Sequence, residues 1–262
     1  MFPPQRIVCL TEETVETLYL LGEQDRIVGI SAYVVRPPEA ARDKARISSF
    51  ISAQFDRIEA LEPDLVLAFS DIQAEISAEL IKRGLNVHCF NQRTVAEILD
   101  SIRLLGAMVG AAERAEALAQ RLQDNLDATA QRAAARGARP KVYFEEWDEP
   151  LITSIHWVSE LIAVAGGDNV FADRAAGRAA KERFVNADEV LATQPDIVLA
   201  SWCGKRFRRE TFEARPGFSD LPAVRNHQVH EIPSEIILQP GPAALTDGLA
   251  ALEGIFTAWR PA

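Results

Sequence analysis

An eight-residue plan that occurs twice limits the architectures open to this chain more than any other feature does. Leu61-Glu62-Pro63-Asp64-Leu65-Val66-Leu67-Ala68 returns as Thr193-Gln194-Pro195-Asp196-Ile197-Val198-Leu199-Ala200. In both copies Pro-Asp marks the end of a helix and an unbroken aliphatic run follows, which is how a parallel strand buried on both faces reads. The neighbours repeat as well. Arg6-Ile7-Val8-Cys9-Leu10, a helix over about Glu13 to Leu21, Gly22 and the short strand Ile27-Val28-Gly29-Ile30 precede the first copy. Lys141-Val142-Tyr143-Phe144, a helix over about Val158 to Ala165, Gly166-Gly167 and Asn169-Val170-Phe171 precede the second. A further helix and strand follow each copy, ending in Val87-His88-Cys89-Phe90 and in Val229-His230-Glu231-Ile232.

Strands alternating with helices predict parallel sheets covered on both faces, so the fold class is α/β, with two doubly wound lobes. Residues 111–136 contain neither glycine nor proline and are rich in Ala, Leu, Glu, Gln and Arg, the strong helix formers. Apolar residues there recur at helical spacing, as in Ala115, Leu118, Ala119, Leu122 and Leu126. The expectation is a single long helix of about 39 Å joining the lobes, with boundaries at 1–106, 107–138 and 139–262 and a ligand cleft between the lobes.

Composition excludes several functions. With 38 acidic and 28 basic residues the formal charge is -10, which repels phosphate backbones and anionic lipid. One basic run, Lys205-Arg206-Phe207-Arg208-Arg209, stands against that balance, and a run this short ordinarily reads as a solvated loop or helix start. Nucleic acid is therefore not an expected partner. Cys9, Cys89 and Cys203 are far apart and odd in number, giving neither a disulfide framework nor a zinc signature. No segment has the run of about 18 apolar residues that a membrane span needs, and the first residues lack the basic and apolar regions of an export signal. A soluble chain is expected, cytoplasmic as the sequence stands and periplasmic if an export signal has been removed.

Ligands of open α/β sheets bind beyond the carboxyl ends of the strands. That rule selects Thr11, Glu12, Ser31, Tyr33, Phe69, Asp71 and Arg93 from the first half, and Glu145, Glu146, Trp147, Trp202 and Lys205 from the second. Trp147 and Trp202 can stack on a flat ligand while their N–H groups still donate, core packing being the rival use. Tyr33, Phe50 and Phe69 face the same choice. Glu145 and Glu146 are consecutive on an extended segment, so at most one is expected to face the ligand, with the other on the surface or salt-bridged. His156 opens a helix and can reach a ligand as a hydrogen-bond partner or axial metal ligand, although a histidine merely satisfied at a helix start is the commoner case. No phosphate loop, dinucleotide fingerprint, nucleophile elbow or zinc-protease helix is present, so no catalytic residue and no metal-ligand set is assigned.

Several segments in order resemble a known family. They are Val28-Gly29-Ile30-Ser31-Ala32-Tyr33 with Pro37-Pro38, Phe55-Asp56-Arg57-Ile58 leading into the first Pro-Asp copy, Ala165-Gly166-Gly167-Asp168-Asn169-Val170-Phe171, and Leu221-Pro222-Ala223-Val224. Together the chain is similar to the class III, helix-linked substrate-binding proteins of ABC importers for cobalamin and ferric siderophores, closest to the cobalamin-binding branch. The resemblance implies reversible binding of cobalamin or another metal chelate, no required cofactor, and an ABC permease as partner. It also implies that Tyr33, Phe50 and Phe69 line the ligand cleft and that Glu75 docks on the permease. The second docking glutamate of the family is replaced here by Leu238, with Glu235 nearby, and the segments Glu145-Glu146-Trp147, Trp202-Cys203-Gly204-Lys205 and Asn91-Gln92-Arg93 make the ligand region more charged than a neutral corrinoid requires. Haem or a ferric siderophore, with His156 or Tyr33 near iron, is the second reading. An enzyme using Glu145 or Glu146 with His156 as acid and base is the third.

Overall fold

The repeated Pro-Asp pairs show why the two halves fold alike. In the computed structural model, which describes residues 2–49 and 51–261, Glu62 and Gln194 both adopt a left-handed backbone, with φ of 47° and 46°, which closes the preceding helix. The aspartate two residues on then reaches the neighbouring strand. Asp64 accepts the backbone N–H groups of Gln5 and Arg6 at 2.7 and 2.9 Å, and its own N–H donates to the Arg6 carbonyl at 2.9 Å. Asp196 accepts the Lys141 N–H at 2.8 Å and donates its own N–H to the Lys141 carbonyl at 2.9 Å. Each carboxylate thus pins one aliphatic strand in register against the next.

The chain divides into two compact units, Met1–Gln92 with Ala96–Gln123, and Arg93–Val95 with Asp124–Ala262. In the first, strands β1 (Ile7–Cys9), β2 (Ile27–Ser31), β3 (Ala45–Ser48), β4 (Leu65–Phe69) and β5 (Val87–Phe90) form one sheet in the order β3-β2-β1-β4-β5. Every pairing is parallel. The order reverses at β1 and β4, so the chain leaves these two strands toward opposite faces and opens a crevice at their carboxyl ends. Ile7, Cys9, Leu65 and Leu67 pack in one apolar cluster and Val8, Leu10, Val66 and Ala68 in another, as alternation along a doubly covered strand requires.

The second unit contains β6 (Lys141–Asp148), β7 (Leu151–Thr153), β8 (Asp168–Asn169), β9 (Ile197–Ala200) and β10 (Val229–Glu231), in the order β10-β9-β6-β7 with β8 also on β6. The β6, β9 and β10 strands repeat the β1, β4, β5 arrangement, all parallel. Here the structure departs from the sequence reading. Leu151–Thr153 turns back as an antiparallel strand on the carboxyl half of β6, and the expected strand at 169–171 shrinks to Asp168 and Asn169, which pair only with Lys141 and Val142. Phe171 instead packs into the core with Tyr143 and Val198. The β3 strand was also absent from the sequence reading, since Ala45-Arg46-Ile47-Ser48 has only one large apolar residue.

The helix Ala112–Arg136 is continuous over 25 residues. Ala115, Leu118, Ala119, Leu122 and Leu126 are all buried along it. Helix Val95–Met108 crosses close to it. A Cβ on Gly106 would come within 2.1 Å of the Ala115 Cβ, so only glycine fits there. Among the described residues no helix is long and apolar enough to cross a membrane.

Removing the Asp64 carboxylate tests the strand clamp. Asp64→Ala deletes two charge-assisted bonds at a partly solvated edge and is expected to lower the unfolding free energy by about 1–2 kcal/mol, read from the urea midpoint. Asp196→Ala, which deletes one such bond, should cost about half as much. Unchanged midpoints in both would mean that aliphatic packing alone sets the register.

Candidate functional site

In the first unit, the β1 and β4 exits are tied together by a residue that the sequence reading passed over. Gln73 is fully buried. Its Oε1 accepts the Phe69 N–H at 3.0 Å and its Nε2 donates to the Leu10 carbonyl at 3.3 Å, so one side chain bridges both sides of the crevice. A buried glutamine without a partner would be costly, and here both ends are satisfied. Ser70 precedes it with a left-handed φ of 61° and accepts the Ile72 N–H at 3.3 Å. This turn leaves Asp71 exposed at the β4 exit.

The β1 exit carries four buried acidic or hydroxyl residues, Thr11, Glu12, Glu13 and Thr14, at the start of helix Glu12–Leu20. Glu12 Oε1 accepts the Val35 N–H at 2.9 Å and so holds the loop that follows β2. Glu13 is 4% exposed; Thr11 donates its hydroxyl to Oε1, whereas Oε2 has no hydrogen-bond partner among the described residues. Burial, only partly offset by the Thr11 hydrogen bond, pushes the Glu13 carboxyl up to about 7.

The loops of this rim present apolar groups to solvent. Tyr33 is 57% exposed, Val35 48%, Ile51 76% and Ile72 52%. They account for four of the nine large apolar side chains exposed among the described residues, and each lies on a loop leaving the carboxyl end of β2, β3 or β4. Phe69, expected beside Tyr33, is only 5% exposed and belongs to the core. Phe50 lies outside the described residues. Glu75 is exposed in the first turn of helix Ala74–Lys82.

The second unit's rim is built from ion pairs. Glu145 is completely buried. Its two oxygens accept the Arg215 guanidinium at 2.6 and 2.9 Å, the Tyr143 hydroxyl at 3.1 Å and the Trp202 indole N–H at 3.0 Å. Burial, and then the adjacent Glu145 carboxylate, raise the Tyr143 phenol well above its ordinary value. Glu146 accepts from both terminal nitrogens of the buried Arg183, and Arg183 also donates to the Thr153 carbonyl at 2.7 Å. Asp148 pairs with Lys205, whose ammonium stands 4.2 Å from the Trp147 ring centre and 4.7 Å from that of Trp202, within cation–π range.

These pairings place the predicted residues individually. Trp202 is 4% exposed and packs edge-on against Phe207 with centroids 5.0 Å apart, which is the core-packing alternative. Trp147 is half-buried, its N–H held by the Glu149 carbonyl at 2.9 Å. Neither Glu145 nor Glu146 is a surface carboxylate; each is bound to a buried or half-buried arginine, and the β6–β7 pairing shifts register between Glu145 and Trp147. His156 lies half-exposed at the start of helix His156–Val164, 4.0 Å from Glu160, whose Oε2 accepts the Val95 N–H at 2.6 Å. Arg93, two residues before Val95, is half-buried. Arg183 and Arg215 escaped the sequence reading because they stand 37 and 70 residues from their carboxylates, and no local pattern announces such a pair.

A model of the periplasmic binding protein family matches residues 7–236. The vitamin B12-binding protein of Vibrio cholerae serotype O1 is 29% identical over 253 residues, covering 93% of this chain and 86% of that one. The crystal structure of the periplasmic vitamin B12-binding protein of Vibrio cholerae superposes with a TM-score of 0.75 at 25% identity, covering 97% of each chain. A periplasmic heme-binding protein from Pseudomonas aeruginosa has the same fold, with a TM-score of 0.83 at 20% identity over 99% of this chain and 95% of that one.

Two outcomes follow from the buried carboxylates. Arg215→Met leaves the buried Glu145 without its guanidinium partner and should destabilise the fold by about 3–5 kcal/mol in urea; adding Glu145→Gln should restore a large part, and a single variant as stable as the parent would contradict the pairing. For Glu13 the folded value of about 7 lies above the ordinary 4.5. Its contribution to stability is therefore complete below about pH 4.5 and lost as pH rises through about 7. Glu13→Gln should gain on the parent by up to about 3 kcal/mol between pH 4.5 and 8, and parallel stability–pH curves for the two proteins would count against this burial.

Proposed function

Because the chain belongs to the periplasmic binding protein family, we propose that it reversibly binds a flat, metal-centred macrocycle or chelate, with a corrinoid such as cobalamin as the first reading, and delivers it to an ABC permease. The carrying observation is the exposure of Tyr33, Val35, Ile51 and Ile72 on the strand-exit loops of the first unit. Soluble proteins seldom gather large apolar side chains in solvent without a partner to cover them, and strand exits are where ligands of this sheet type bind. A broad ring system covers such a surface better than a small polar solute does. The relatives named for vitamin B12 agree with the corrinoid reading.

Haem is the second reading, favoured by the exposed Tyr33 phenol, a group able to ligate iron, and by the heme-binding fold relative. Binding without covalent chemistry is supported by the state of the two candidate acid–base groups. Glu145 accepts four hydrogen bonds and Glu146 is held by both nitrogens of Arg183, so neither is poised to move a proton. For permease docking, Glu75 offers an exposed carboxylate, whereas half-buried Leu238 holds the place of the family's second one.

Titration with cyanocobalamin and, separately, with haem, followed by tryptophan fluorescence and by the ligand's visible band, tests the proposal. Saturable binding by one of them is expected, weakened about tenfold in Tyr33→Ala, a loss of about 1.4 kcal/mol. No response to either at high micromolar concentration would refute the macrocycle reading.

A further inference from the structure

One ion pair at the second unit's rim differs from the others in what surrounds its cation. The Lys205 ammonium stands 4.2 Å from the Trp147 ring centre and 4.7 Å from that of Trp202, and it also pairs with the Asp148 carboxylate. Two aromatic faces and a carboxylate around one ammonium are the parts of a cation cage, since the ring quadrupoles and the anion attract the same charge. Here the occupant is the chain's own side chain.

The walls of the cage are held without Lys205. The Trp202 indole N–H donates to the buried Glu145 at 3.0 Å and its ring packs edge-on against Phe207, while the Trp147 N–H donates to the Glu149 carbonyl at 2.9 Å. With both N–H groups satisfied elsewhere, the rings present their faces to the ammonium. Arg215, the other cation acting on Asp148, directs both terminal nitrogens to Glu145 and lies over Phe212 and Phe218. It does not compete for the cage.

Lys205, by contrast, is replaceable. It follows Gly204, left-handed at φ 75° with no atom within 4 Å of where a Cβ would stand, in a turn that its own N–H closes on the Trp202 carbonyl at 3.3 Å. Its side chain is 40% exposed, against 16% for Asp148. A second carboxylate lies on its other side. Lys205 lines a hollow of about 390 Å³ with Arg206, Glu231 and Glu235; Arg206 and Arg208 are balanced by Glu210 and Glu231 in the adjoining hollow, so Glu235 is the carboxylate left over. An ammonium that leaves Asp148 for this hollow exchanges one anion for another, and a flexible four-carbon stem permits the move without a change of backbone.

We propose that Trp147, Trp202 and Asp148 form a receptor for an alkylammonium group, which enters by displacing Lys205 toward Glu235. The site differs in chemistry from the apolar loops of the first unit and stands whether or not a macrocycle binds there. A quaternary ammonium is the favoured guest, because it gives up less hydration than the Lys205 ammonium does on meeting the indole faces. The tethered lysine competes at a high effective concentration, which keeps weaker guests out. An overall charge of -10 favours the approach of cations.

Choline and its uncharged carbon isostere, neopentyl carbinol, separate recognition of charge from apolar contact. Each would be titrated at constant ionic strength, followed by tryptophan fluorescence, into the parent protein, into Lys205→Ala, which empties the cage, and into Lys205→Ala/Trp147→Leu, with circular dichroism confirming each fold. Choline should saturate the parent and bind Lys205→Ala about tenfold tighter, and Trp147→Leu should reverse that gain. The alcohol should give no saturable response in any of them. No saturable binding of choline to the parent, equal affinity in the parent and Lys205→Ala, a gain that survives Trp147→Leu, or an alcohol response as strong as that of choline overturns the proposal. Should Lys205→Ala not fold, Trp147→Leu alone decides, since it should weaken choline binding to the parent about tenfold and unchanged affinity overturns the cage. Choline contains no macrocycle, so its failure to bind and the failure of cobalamin and haem to bind are separate results.

Discussion

The strand clamp made by Asp64 and Asp196 is the constraint on which the remaining architecture depends. A parallel strand buried on both faces carries no polar side chain to set its register, and a slip of one residue would exchange its two faces. Short strands make this worse; β1 has three residues and β9 four. A carboxylate that accepts the N–H groups entering the neighbouring strand resolves the ambiguity at one end. Once β4 is fixed against β1, and β9 against β6, the opposite ends are fixed too, and these are where Gln73, Ser70, Glu145 and Trp202 lie.

From those fixed ends the two units differ in chemistry. The first gathers Thr11, Glu12, Glu13, Ser70 and Gln73 below its rim and leaves apolar groups in solvent. The second buries charge, but always as pairs: the Glu145 carboxylate alone receives an arginine, a phenol and an indole. Such clusters are expensive to desolvate and contribute little net stability. They do hold side chains in one orientation, and Trp202 owes its placement to the same carboxylate that binds Arg215.

Much of the fold was legible in the sequence because it is written in local pattern. The Pro-Asp copies, the aliphatic runs and the glycine-free stretch 111–136 correspond directly to β4, β9 and the long helix Ala112–Arg136. The β7 hairpin was not legible, since Asp148-Glu149-Pro150-Leu151 reads equally well as a loop entering a helix. For the site, the strand-exit rule located Thr11, Tyr33 and Asp71 at the rim. It could not tell that Phe69 and Trp202 turn inward, because both choices satisfy a large aromatic at a strand end. Nor could it find the partners of Glu145 and Glu146, since a long-range ion pair leaves no periodicity. The region that looked heavily charged as a sequence is therefore largely neutralised as a structure.

That neutralisation changes how the basic run Lys205-Arg206-Phe207-Arg208-Arg209 should be understood. Counted as residues it holds four cations, an ordinary surface patch. Counted after pairing, Lys205 is spent on Asp148 and the two indoles, and Arg209 on Glu213 and the Val229 carbonyl. Two guanidinium groups remain, Arg206 and Arg208, separated by the buried Phe207 ring, and the Glu210 and Glu231 carboxylates line the same hollow and balance them.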